Sequence, residues 1–160
     1  MKTASRHLLV EYQDCDRRLL NNPSELKTIL KAAAEAARAT VVGEVFHTFS
    51  PQGVIGVVVI EESHLSIHTW PEYGYAAVDF YTCGDCLPDR AHEVIKKGLG
   101  AGRCEIMSLN RGMYPPSPSV HVAAHYTEPG NESTSEYNQI ALDLNFTPDA
   151  GNEGICRSGR

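Results

Sequence analysis

The sequence predicts an α+β fold: a two-layer α/β sandwich, with a mainly antiparallel sheet covered by two helices on one face. Three observations point there. Only two segments repeat apolar residues at helical spacing: Leu26, Ile29, Leu30, Ala33 and Ala37, then Ala91, Val94, Ile95 and Leu99. Several β-branched runs lie around them, richest at Val54–Ile60. The links between successive runs are short, which suits hairpins rather than parallel crossovers.

Taken in order, residues 7–13 form a first strand. Asn22-Pro23-Ser24-Glu25 opens a helix, with Asn as cap and Pro at the first helical position, and that helix runs to about Ala39. Residues 40–50 read as a strand on Val41, Val42, Val45, Phe46 and Phe49. Pro51-Gln52-Gly53 marks a turn into the buried strand Val54–Ile60. Strands at 65–69 and 75–81 follow, separated by Pro71 and Gly74. A second helix spans Pro88–Leu99 and stops at Gly100. A closing strand covers 104–110. Residues 53–60 are apolar on both alternating faces, so the uncovered sheet face is expected to be buried in a homodimer.

The domain is expected to end at residue 114. Residues 115–160 read as a Pro/Gly/Ser-rich acidic tail, with an alternating pattern at 140–146 that allows one extra strand. The chain has 160 residues, 42% of them hydrophobic, which supplies a core and excludes wholesale disorder. Its formal charge of −6 argues against nucleic acid as a partner. Most of that excess lies in the tail, so it carries no hint of a cationic substrate. No apolar run approaches a membrane span, and no signal peptide is evident. Five scattered cysteines do not make a disulfide framework, and the expected compartment is the cytoplasm.

The chemistry concentrates in Glu61-Glu62-Ser63-His64-Leu65-Ser66-Ile67-His68-Thr69-Trp70-Pro71-Glu72. There is no Gly-x-Ser-x-Gly elbow around Ser63, which argues against a hydrolase triad. Cys83-Gly84-Asp85-Cys86 has zinc-like spacing, but no second ligand pair accompanies it, so no metal is expected.

The segment from Ser50-Pro51-Gln52-Gly53 through Glu62-Ser63-His64, His68-Thr69-Trp70-Pro71-Glu72 and Thr82-Cys83-Gly84 resembles the bacterial and archaeal S-adenosylmethionine decarboxylases. Gly43-Glu44-Val45-Phe46-His47, Pro88 and Ala91 fit the same pattern, and the resemblance covers roughly residues 5–114. It implies that residues 1–114 are a pyruvoyl-dependent decarboxylase domain made as a proenzyme. Autocatalytic serinolysis between Glu62 and Ser63 would give a β chain of residues 1–62 and an α chain from 63. Ser63 would become the pyruvoyl cofactor that forms a Schiff base with the substrate.

The resemblance further implies His68 as the processing base, a role suited to the side chain that titrates near neutral pH. Ser63 and His68 are an odd number of residues apart, so on one strand they point to opposite faces. A bend or bulge near the cleavage point is therefore expected. Cys83 is implied as the proton donor, and thiols ordinarily keep their proton at neutral pH. Phe49 and Trp70 are candidates for stacking on adenine, and Glu72 for the ribose hydroxyls. The implied product is decarboxylated S-adenosylmethionine, the aminopropyl donor of spermidine and polyamine synthesis.

One position departs from the family pattern: Ile55 stands where members commonly have serine in Gly-Val-Ser-Gly-Val. It leaves open a pyruvoyl-dependent arginine or ornithine decarboxylase. It also leaves open an unprocessed, non-catalytic binding or activator homologue, against which Ser63, His68 and Cys83 speak.

Overall fold

The computed structural model describes residues 4–114 and 117–129. Among these residues seven strands form one sheet: β1 (Ser5–Gln13), β2 (Val41–Thr48), β3 (Val54–Ile60), β4 (Ser63–Trp70), β5 (Tyr75–Cys83), β6 (Arg103–Tyr114) and β7 (Ser117–Pro129). The helices are α1 (Pro23–Ala36) and α2 (Pro88–Leu99). The strand order is β2-β3-β4-β5-β1-β6-β7, and every neighbouring pair is antiparallel. This is the expected α+β sandwich.

Helix α1 starts as its sequence dictates. Asn22 Oδ1 accepts from the backbone N–H groups of Ser24 at 3.1 Å and Glu25 at 3.3 Å, and Pro23 follows the cap directly. The helix ends at Ala36, earlier than expected, because Arg38 takes φ +63° and the Ala39 N–H returns to the Ala34 carbonyl. Leu26, Leu30, Ala33 and Ala34 of α1, with Ala91, Ile95 and Leu99 of α2, bury one stripe each. They cover the inner sheet face of Leu8, Val10, Tyr12, Val58, Leu65, Ile67, Val78, Phe80 and Ile106. A Cβ on Gly98 would sit 2.9 Å from Ile29, so glycine sets the spacing of the two helices. At the sheet edge Phe46 lies over Gly56, where a Cβ would be 2.2 Å from the ring.

Among the described residues, no helix covers the other sheet face. Val45, Val59 and Trp70 are exposed there, and Ile55 and Val57 are half-buried. At its centre lies a polar cluster. Ser66 Oγ donates to Asp79 at 3.1 Å, His7 Nε2 stands 3.5 Å from the same carboxylate, and Arg111 lies 4.6 Å over the Tyr81 ring. His7, followed by Ser66, holds the Asp79 carboxyl below its ordinary range despite partial burial.

Ser117–Pro129, placed in the tail by the sequence reading, adds β7 to the edge of the sheet. Glu128 fastens it, accepting from Lys96 Nζ at 2.9 Å and lying 3.1 Å from Nε2 of the buried His92. Burial pushes the Glu128 carboxyl up, but Lys96 and His92 outweigh that and hold it below the usual range. The extra strand considered at 140–146 lies outside the described residues. Among the described residues, no helix is long and apolar enough to cross a membrane.

Candidate active site

Ser63 is the first residue of β4, at the tip of the β3–β4 hairpin. The turn before it is held by Thr40: its carbonyl accepts from Glu61 N–H at 2.9 Å, and its N–H donates to the Glu62 carboxylate at 3.1 Å. Ser63 has φ +156°, an uncommon setting for an L residue and a local source of strain. Its backbone partner on β5 is Thr82, which puts Cys83 opposite Glu62. The Glu62 carbonyl oxygen accepts from both donors of Cys83, the backbone N–H at 3.3 Å and Sγ at 3.1 Å. Two donors on one carbonyl oxygen stabilise negative charge developing there, which is how oxyanion holes work. Ser63, Glu62 and Cys83 therefore lie together at one end of the sheet.

His64 was not among the expected site residues. Its Nδ1 lies 3.2 Å from Ser63 Oγ, and its ring tilts against Tyr81 at 5.8 Å. The visible signal was only that an imidazole follows the hydroxyl directly in sequence.

His68 does not join this group. The β3–β4 and β4–β5 ladders run through residues 63–68 without a register shift, so the expected bend or bulge is absent. Five strand steps put His68 about 16 Å from Ser63 within one chain. Its Cα partners are Ile55 on β3 and Ala77 on β5. The departure at Ile55 thus sits beside His68, not beside Ser63.

His68 instead heads a second group at the opposite end of the sheet. Its ring stacks on Trp70 at 6.1 Å, and Trp70 stacks on Tyr75 at 5.1 Å. Glu72, in the 3-10 turn Pro71–Tyr73, accepts from Gln52 Nε2 at 3.0 Å, which ties it to the loop carrying Phe49. Phe49 is exposed and meets His47 edge-on at 5.0 Å. Glu72, Gln52, Arg17, Arg18 and Asn21 line a surface recess of about 660 Å³. The expected site is therefore split: the candidate cleavage groups lie at one end of the sheet, the candidate base and substrate contacts at the other.

Cys83 and Cys86 are free thiols. The described residues with metal-ligand spacing are His92, Glu93 and Glu128, and there the Lys96 ammonium already lies 2.9 Å from Glu128.

Comparison with known proteins gives a consistent result. The family model for S-adenosylmethionine decarboxylase matches residues 6–112. The chain is 50% identical over 129 residues to the S-adenosylmethionine decarboxylase proenzyme of Thermotoga maritima, covering 78% of this chain and 99% of that protein. It is 42% identical over 113 residues to the proenzyme of Acidithiobacillus ferrooxidans, covering 70% of this chain and 85% of that one. The crystal structure of the adenosylmethionine decarboxylase from Aquifex aeolicus superposes with a TM-score of 0.65 at 34% identity, over 74% of this chain and 99% of that one.

Proposed function

The chain belongs to the S-adenosylmethionine decarboxylase family, and from that membership we propose that it is a self-cleaving, pyruvoyl-dependent carboxy-lyase acting on S-adenosylmethionine. Its product would be decarboxylated S-adenosylmethionine, the aminopropyl donor for polyamine synthesis. The observation that carries the reading is the Glu62 carbonyl, held by both donors of Cys83 next to the Ser63 hydroxyl.

In the cleavage, Ser63 Oγ attacks the Glu62 carbonyl carbon and the amide becomes an ester. Cys83 Sγ–H and N–H receive the charge on the carbonyl oxygen. Removal of the residue-63 α-proton then expels the Glu62 carboxylate. Hydrolysis of the resulting imine releases ammonia and leaves a pyruvoyl group at residue 63. That group supplies a ketone that binds the substrate amine and takes up the electrons left when carbon dioxide departs. Cys83 stays beside residue 63 and, through its Sγ–H, is the proton donor to the substrate carbon.

The α-proton needs a base, and His68 of the same chain is too far away. The open sheet face supports a homodimer in which His68 from a second copy meets Ser63. An antiparallel twofold packing of two such faces brings the Ser63 end of one protomer against the His68 end of the other. The same packing adds the second copy's Phe49, Trp70 and Glu72 as the adenosyl subsite. Stacking on the aromatic rings suits adenine, and the Glu72 carboxylate suits the ribose hydroxyls.

Intact mass after expression tests the cleavage. Fragments of 62 and 98 residues are expected, the larger blocked by pyruvate, and Ser63→Ala should stay whole at 160 residues. A single uncut wild-type chain defeats the proposal. Release of labelled carbon dioxide from carboxyl-labelled S-adenosylmethionine, with arginine and ornithine as competitors, tests the substrate.

A further inference from the structure

We propose that His64 is a catalytic residue of self-cleavage: the base that removes the Ser63 hydroxyl proton and then delivers it to the departing amide nitrogen. This rests on the self-cleavage reading above and assigns it a second histidine.

Forming the ester and eliminating from it require two different protons to move. The first leaves Ser63 Oγ as that oxygen attacks, and the second leaves the residue-63 α-carbon. A neutral hydroxyl is a weak nucleophile until a base within hydrogen-bond reach takes its proton. His64 Nδ1, 3.2 Å away, is the titratable side chain in contact with that oxygen among the described residues. His68 is excluded from the first step within one chain, being five residues further along an unbroken strand.

The surroundings of His64 suit the role. For Nδ1 to accept, the ring must carry its own proton on Nε2. The ring lies on the open sheet face, on the side of the Asp79 carboxylate, whose charge favours the imidazolium formed during transfer. The carbonyl under attack is simultaneously held by Cys83.

The step balances. The Oγ–H proton moves to His64 Nδ1, and an Oγ–C bond forms to the Glu62 carbonyl carbon. The carbonyl electron pair moves to its oxygen. As it returns, the Glu62–Ser63 C–N bond breaks, and the nitrogen takes the proton from His64. One amide becomes one ester and one amine, with no redox change and no co-reactant.

The assignment predicts a block different from that of His68→Ala. Loss of the elimination base leaves the ester in place, and hydroxylamine then severs it, releasing a 98-residue chain with an unblocked Ser63. Loss of the acyl-shift base leaves an amide that hydroxylamine does not touch. The experiment expresses the full chain as wild type, His64→Asn, His64→Gly and His68→Ala, and follows each by intact mass with and without hydroxylamine. Circular dichroism and thermal melting against uncleavable Ser63→Ala verify that the variants fold.

The expected result is cleavage slowed about 100-fold or more in His64→Asn, the general-base scale. Its precursor should be inert to hydroxylamine, and added imidazole should restore cleavage in His64→Gly. Cleavage of His64→Asn at near the wild-type rate overturns the assignment. So does a hydroxylamine-released chain from that variant, or a folded His64→Gly that imidazole fails to rescue. If wild type itself is uncut, it is the self-cleavage reading that fails.

Discussion

Replacing Cys83 with alanine removes one of two donors from the Glu62 carbonyl, the proposed target of Ser63, and leaves the other. The Sγ contact to the Glu62 oxygen, 3.1 Å, is lost, while the backbone N–H at 3.3 Å persists in any residue but proline. A strong oxyanion-hole donor is worth about 100- to 1,000-fold in rate. A thiol is a weaker donor than an amide, so about 1–2 kcal/mol of transition-state stabilisation is the appropriate figure. That corresponds to cleavage about 5- to 30-fold slower, not abolished. The assay is a pulse of synthesis followed by intact-mass sampling of precursor and fragments. Cys83→Ser, which keeps a donor, should fall between wild type and alanine. The cleaved fraction of Cys83→Ala should then decarboxylate far more slowly than its cleavage loss implies, because the thiol is also the proposed proton donor. Cleavage of Cys83→Ala within twofold of wild type refutes the oxyanion argument. A complete block equal to Ser63→Ala refutes its subsidiary character. Full decarboxylation by the cleaved fraction removes Cys83 as donor.

Co-expression of Ser63→Ala with His68→Ala should restore cleavage of the His68→Ala chain, because in the proposed dimer a mixed pair holds one whole site; no cleavage in the mixture would put both groups in one chain. Gly56→Ala forces a methyl against the Phe46 ring, at 2.2 Å before relaxation, and should cost about 1–3 kcal/mol by thermal melting. Combining it with Phe46→Ala should cost less than the two changes summed. Asp79 and Glu128 both titrate below the ordinary carboxylate range, so the unfolded chain binds more protons there. Their stabilisation should be complete above the usual carboxylate pKa and should fade as pH drops through their lowered folded values. Glu128→Gln, which strands Lys96 and His92, should cost about 2 kcal/mol near pH 7 and flatten the acid limb measured by urea unfolding.

Local pattern made most of the fold legible. Asn22 and Pro23 start α1, Gly100 ends α2, and Val54–Ile60 is the buried strand that its composition implies. Position 38 escaped such reading because nothing in the identity of arginine announces a left-handed backbone. Strand β7 escaped because its prolines and polar residues resemble a linker, although its partner β6 is the strand directly before it in sequence. For the candidate site, the sequence named residues but not their geometry. The parity of Ser63 and His68 correctly showed that one straight strand cannot bring them together, but the remedy it suggested was a bend. The ladder stays straight, and the proposed remedy is a second copy of the chain. His64 was missed because a neighbouring imidazole has meaning only once its rotamer puts Nδ1 on the hydroxyl.

Strand β1 lies between β5 and β6, deep in the sheet. A cut between Glu62 and Ser63 divides the molecule into two polypeptides that are woven rather than stacked. The first supplies β2, β3 and the central β1, and the second supplies the pairs on either side of β1. Separating them requires withdrawing a strand hydrogen-bonded along both edges, so the nicked molecule should persist at any dilution that leaves the sheet folded. Assembly is another matter. The intact precursor closes the weave as a single chain, at a rate independent of concentration. The severed pieces, once denatured, must first find each other. Cleavage thus separates how the protein is built from how it is kept, and recovery from urea should depend on concentration after the cut in a way that Ser63→Ala does not.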